Sequence, residues 1–69
     1  MTTPAPEVPP EMRLYRVTDV ARLLSLSRST LYILMESGRL RSVKEGRTRL
    51  IPGTAIVEYI ARLEQEGRR

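Results

Sequence analysis

Residues Val17–Glu36 read VTDVARLLSLSRSTLYILME, and this stretch decides the fold. Thr18 is placed to cap a first helix with Asp19 in its first turn, where a carboxylate suits the positive end of the helix dipole. Val20, Ala21, Leu23 and Leu24 repeat at the i, i+3, i+4 spacing of a face turned to a core. Ser25 and Leu26 interrupt the pattern. Ser27 then caps a second helix with Leu31, Leu34 and Met35 on its inner face, and Gly38 stands where a left-handed residue ends it. Two short helices joined by about three residues form a helix-turn-helix, whose crossing needs a small residue clasped by apolar ones. Ala21 is the small residue, and Val20, Leu24, Leu26, Leu31 and Leu34 surround it. Ser25 departs from the Gly that such turns favour, and Ser can reach the left-handed conformation only with some strain.

Downstream, the short segments Leu40–Lys44 and Thr48–Ile51 flank Glu45-Gly46-Arg47. They predict a two-stranded antiparallel ribbon, its turn made by Gly46 and its second strand ended by Pro52. A third helix is expected from Thr54 to Glu66, with Ile56, Tyr59, Ile60 and Leu63 on one face. The predicted fold class is mainly α with a small two-stranded β wing, a winged helix-turn-helix. Upstream, Pro4, Pro6, Pro9 and Pro10 preclude a helix, so residues 1–13 are expected to be a disordered Pro-rich tail. Residues 14–66 form the expected domain and 67–69 a basic end.

Composition narrows the function. The 69 residues hold 12 Lys+Arg and 8 Asp+Glu, a formal net charge of +4, with no Cys and no His. Disulfides, thiolate zinc and the usual general base are thereby excluded, and no spacing pairs a nucleophile with a base. We expect no catalytic residue, no metal and no cofactor. The longest apolar run, Leu31–Met35, is far too short for a membrane span, and no apolar signal region opens the sequence, so a cytoplasmic, nucleoid-associated protein is expected. The charge is concentrated: residues 13–49 carry nine basic and three acidic side chains, a net +6, whereas residues 50–69 balance to zero. One basic segment on a protein of pI near 10.3 points to a polyanion. With three Tyr and neither Phe nor Trp, the chain is poorly equipped to stack unpaired bases, which favours duplex DNA.

In a helix-turn-helix the N-terminal residues of the second helix meet the major groove, here Ser27, Arg28, Ser29, Thr30, Tyr32 and Ile33. Arg28 suits either a guanine edge or a phosphate. Ser29 and Thr30 suit phosphate, and equally the ordinary first turn of a helix. Tyr32 lies off the apolar stripe, within reach of a phosphate or base. Ile33 either meets a thymine methyl or closes the edge of the core. On the ribbon, Arg41, Lys44, Arg47 and Arg49 suit the DNA backbone or a narrow minor groove, although charge there also protects strand edges from other chains.

From Tyr15 to Ile60 the chain resembles the excisionase-type winged helix-turn-helix domains, which are related to the DNA-binding part of the MerR regulators. The resemblance rests on VTDVARLLSLSRSTLYILMESGRL (Val17–Leu40), Gly46-Arg47, and Ile51-Pro52 leading into AIVEYI (Ala55–Ile60). It implies recognition-helix contacts at Ser27, Arg28, Ser29, Thr30 and Tyr32, and wing contacts at Lys44, Arg47 and Arg49. The chain departs from the family pattern at Ile33, Glu45 and Leu50. The resemblance also implies a recombination directionality factor: a non-enzymatic protein that bends attachment-site DNA and assists an integrase. A small MerR-like transcriptional regulator without an effector domain is the alternative. The small size suggests head-to-tail self-association on DNA.

Overall fold

A computed structural model describes residues 8–68. A short 3-10 turn (Pro10–Met12) precedes strand β1 (Leu14–Arg16), helices α1 (Val17–Leu24) and α2 (Arg28–Ser37), strands β2 (Val43–Glu45) and β3 (Thr48–Pro52), and helix α3 (Gly53–Glu66). The strands form one antiparallel sheet in the order β1-β3-β2. Val17, Val20, Leu31, Met35, Leu40, Ile51, Ala55, Ile56 and Tyr59 make the core, drawn from α1, α2, the loop after α2, β3 and α3. Ala21, Leu24, Leu26 and Leu34 pack around it as the helix-turn-helix geometry requires.

The turn of that motif behaves as its sequence predicts. Ser25 takes the left-handed conformation (φ 56°, ψ 41°), and the Leu26 N–H donates to the Ala21 carbonyl at 3.0 Å. The Ser27 hydroxyl accepts the Thr30 N–H at 3.1 Å, and Gly38 closes α2 at positive φ.

Four expectations are corrected. The sheet has three strands, not two. Residues Leu14–Arg16 are too few to show a period-2 pattern, and their partner β3 lies more than thirty residues away, in the register Leu14↔Pro52, Tyr15↔Ile51, Arg16↔Leu50. The ribbon itself is shorter, because Leu40 is fully buried in the core and its N–H donates to the Leu34 carbonyl rather than to a strand. Second, Thr18 does not cap α1. The chain passes straight from β1 into the helix, Arg16 stands at the cap position in an extended conformation, and no side chain caps it.

Third, the apolar stripes extend beyond the core. Leu23 is 61% exposed, and Ile60 and Leu63 are also exposed, because neither the sheet nor another helix covers the outer side of α1 or the far end of α3. Fourth, residues 8–13 are not a loose tail. Met12 is exposed, so side-chain burial plays little part; the backbone does the holding. The Pro10 carbonyl accepts the Tyr15 hydroxyl at 3.0 Å, and the Gly53 N–H donates to the Arg13 carbonyl at 2.8 Å, satisfying one of the orphan donors at the start of α3. Contact is so close that a β-carbon at Gly53 would sit 2.7 Å from the Cα of Glu11. Only glycine fits there. The expectation for residues 1–7 lies outside the described residues.

Candidate nucleic-acid interface

The wing begins with a tight turn. Glu45 pairs with Thr48, leaving Gly46-Arg47 as a two-residue loop, and Gly46 alone of the two has a positive φ, of 60°. Glycine at the first loop position fits a type II′ turn, whose twist matches that of the strands. The resulting register places Lys44 directly opposite Arg49. Side chains alternate along a strand, so this pair shares the face of Ile51, which points into the core. Where the ribbon runs past the helices, that face carries cations instead of apolar groups.

Between the wing, α2 and the junction of β1 with α1 lies an open cleft of about 640 Å³. Arg16, Lys44, Arg47 and Arg49 line it together with Tyr32, Thr18 and Thr48, and no carboxylate is among the lining residues. Like charges directly opposite in a ladder destabilise a sheet. Grouping four cations without an acid therefore costs stability that a bound polyanion would restore. Beside the cleft, Arg28 is the first residue of α2, and the first turn holds no acidic residue. A cation at the positive end of a helix is also unfavourable on its own, and nearby phosphate would reverse the sign.

Of the residues singled out in sequence, the structure brings Tyr32, Lys44, Arg47 and Arg49 into one cleft and leaves Arg28, Ser29 and Ile33 exposed beside it on α2. The Ser27 and Thr30 hydroxyls lie 2.8 Å apart and bond each other, so their first duty is to the helix cap. Arg41 is elsewhere. Its guanidinium forks onto Glu58, with Nε at 3.2 Å from Oε2 and Nη2 at 3.3 Å from Oε1, and reaches Thr54 on α3. Arg16, Thr18 and Thr48 were not anticipated. Arg16 enters the cleft because β1 pairs with β3, a long-range contact that no local pattern announces.

A second ion pair joins Arg39 to Glu66 at 3.0 Å, clamping the far end of α3 to the loop after α2. The Arg39 hydrogen bonds hold the Glu66 carboxyl below its usual range, and Glu66 in turn raises Arg39. Among the described residues no group of His, Cys, Asp or Glu is placed to hold a metal, and no helix is long and apolar enough to cross a membrane.

Two helices crossing through a three-residue turn, a basic β wing and a cleft between them define a winged helix-turn-helix. Comparison with known proteins agrees. A family model described as "Helix-turn-helix domain" matches residues 14–64, and the chain belongs to that family. It is also 46% identical over 54 residues to a protein of Saccharopolyspora erythraea named "Probable excisionase". The aligned region covers 78% of this chain and 55% of the relative, so the chain spans about half the length of that protein. No solved structure matches the chain.

Proposed function

We propose that the protein binds duplex DNA with α2 in the major groove and the wing and cleft on the neighbouring backbone, and that it acts as an excisionase. The observation that carries this reading is the acid-free cluster of Arg16, Lys44, Arg47 and Arg49 facing the same side as the recognition helix. In this reading Arg28, Ser29 and Tyr32 meet base edges or the phosphates beside them, while the cleft cations hold the backbone and fix register. Likeness to the Saccharopolyspora protein supports the role: an architectural factor that binds next to an attachment site, bends it and assists an integrase towards excision.

One copy of so small a module buries only about 600–1,000 Å² on DNA, too little to discriminate strongly against a genome of competing sites. We therefore infer that several copies stand head to tail on direct repeats, a contact that need not close, and that their wings together favour a bent duplex. Footprinting on genomic fragments, followed by circularly permuted gel shifts on duplexes with one, two and three of the recovered sites, tests this. The expected result is affinity per site and bend angle that both increase with site number. Equal affinity without bending contradicts the architectural role and leaves a plain regulator of transcription.

A further inference from the structure

Helix α2 presents an outer face that differs from the cleft beside it. Arg28 and Glu36 are its only charged residues and they cancel, whereas the cleft holds four cations and no acid. Phosphate attraction is therefore concentrated on the wing, β1 and the first turn of α2, and the rest of the outer face of α2 is left to read bases. On that face Ile33 is 65% exposed and does not line the cleft, while its neighbour Tyr32 does. One residue further along a helix is about 100° around it, which turns Ile33 away from the wing, onto the side of Ser29 one turn earlier. The core-edge alternative raised by the sequence does not fit such exposure.

A lone exposed isoleucine on an idle surface needs no explanation. At the centre of a groove-reading face it does, because it can neither donate nor accept a hydrogen bond. The major groove offers it one apolar feature, the C5 methyl of thymine. As a β-branched residue in a helix, Ile33 is also held in essentially one χ1 rotamer, so a contact there loses little side-chain entropy. We infer that Ile33 is a specificity-determining residue that selects a T·A pair through the thymine methyl. With about 1.5 Å of rise per residue, it stands roughly 7.5 Å along the helix from Arg28, about two base steps from the pair that Arg28 addresses.

This inference rests on the DNA-binding reading above, and its test separates the two. On a footprinted duplex, each thymine is replaced in turn by deoxyuridine, which removes the methyl and keeps the pairing. Wild-type protein is expected to lose about fourfold in affinity at one T·A pair, the size of one buried methyl. Ile33→Ala is expected to bind the unmodified duplex more weakly by a similar factor and to ignore the deoxyuridine there, while Ile33→Val keeps most of the discrimination. Thermal melts should coincide for all three, since the side chain is exposed. If no thymine position responds in wild type, or if the response survives in Ile33→Ala, the inference is overturned, and an effect of Ile33→Ala without any uracil response would assign the residue to a protein contact instead. Failure of every duplex to bind overturns the DNA-binding reading itself, and this inference with it.

Discussion

The two ends of this small domain use the same residue types in opposite ways. On the α3 side, two basic residues of the loop after α2 are matched: Arg39 forks onto Glu66 and Arg41 onto Glu58, and the backbone of Pro10–Arg13 locks onto the start of α3. On the wing side, Lys44 faces Arg49 across the ladder, with Arg16 and Arg47 in the same cleft and no carboxylate among its walls. Counting Arg residues would not separate the two. The difference lies in what each guanidinium meets, and it marks one end as holding the fold and the other as built for an external anion.

The largest expected effect breaks the first end. Gly53→Ala places a β-carbon against the backbone of Pro10 and Glu11, where no flexible side chain can yield. Loss of about 3 kcal/mol is expected, read as a fall in urea midpoint, with the 3-10 turn released from α3. Deletion of residues 8–13 should lower the melting temperature for the same reason; an unchanged melt in both variants would mean that the clamp contributes nothing.

Arg28→Ala sharpens the second end. If base edges specify and phosphates position, this change should cost about 1–3 kcal/mol at the preferred site and narrow the gap to random duplex, whereas Arg47→Ala should weaken both alike. Binding titrations on both duplexes decide it; an unchanged specific-to-random ratio in Arg28→Ala would remove α2 from base reading.

Ser25→Gly relieves the one non-glycine residue at positive φ among the described residues. A gain of about 1 kcal/mol is expected in chemical denaturation, with DNA affinity unchanged because the turn lies outside the cleft. The smallest effect is Arg41→Ala. Both partners of its ion pair with Glu58 are more than half exposed, so stability should change by less than about 1 kcal/mol, and affinity for duplex far less than in Arg47→Ala. An equal loss of affinity in the two variants would place Arg41 on the DNA and undo the contrast between the ends.

Most of the helical part was legible in the sequence, because its signals are local. Ser27, Ser25 and Gly38 act within a few residues of themselves, and the stripe from Val20 to Met35 survives folding almost intact. What the sequence hid depends on distant partners. Leu14-Tyr15-Arg16 becomes a strand only because β3 lies beside it, and the same pairing carries Arg16 into the cleft. Arg41 looked like its wing neighbours until α3 supplied Glu58. The proline-rich segment appeared unable to hold anything, since its attachment is made through backbone carbonyls that composition does not reveal. Exposure of Leu23, Ile60 and Leu63 likewise reflects where the small sheet ends rather than any change of period.

The contrast between the two ends turns on the acid-free cleft being where the protein meets duplex DNA. The most direct test is the salt dependence of duplex binding by wild type and by the Lys44→Ala/Arg49→Ala double variant. Four cations on phosphates give a slope of log K against log salt of about −3.6 for wild type, and removing the cross-strand pair should bring it to about −1.8. A slope near zero in wild type, or the same slope in both proteins, would contradict the assignment of the cleft.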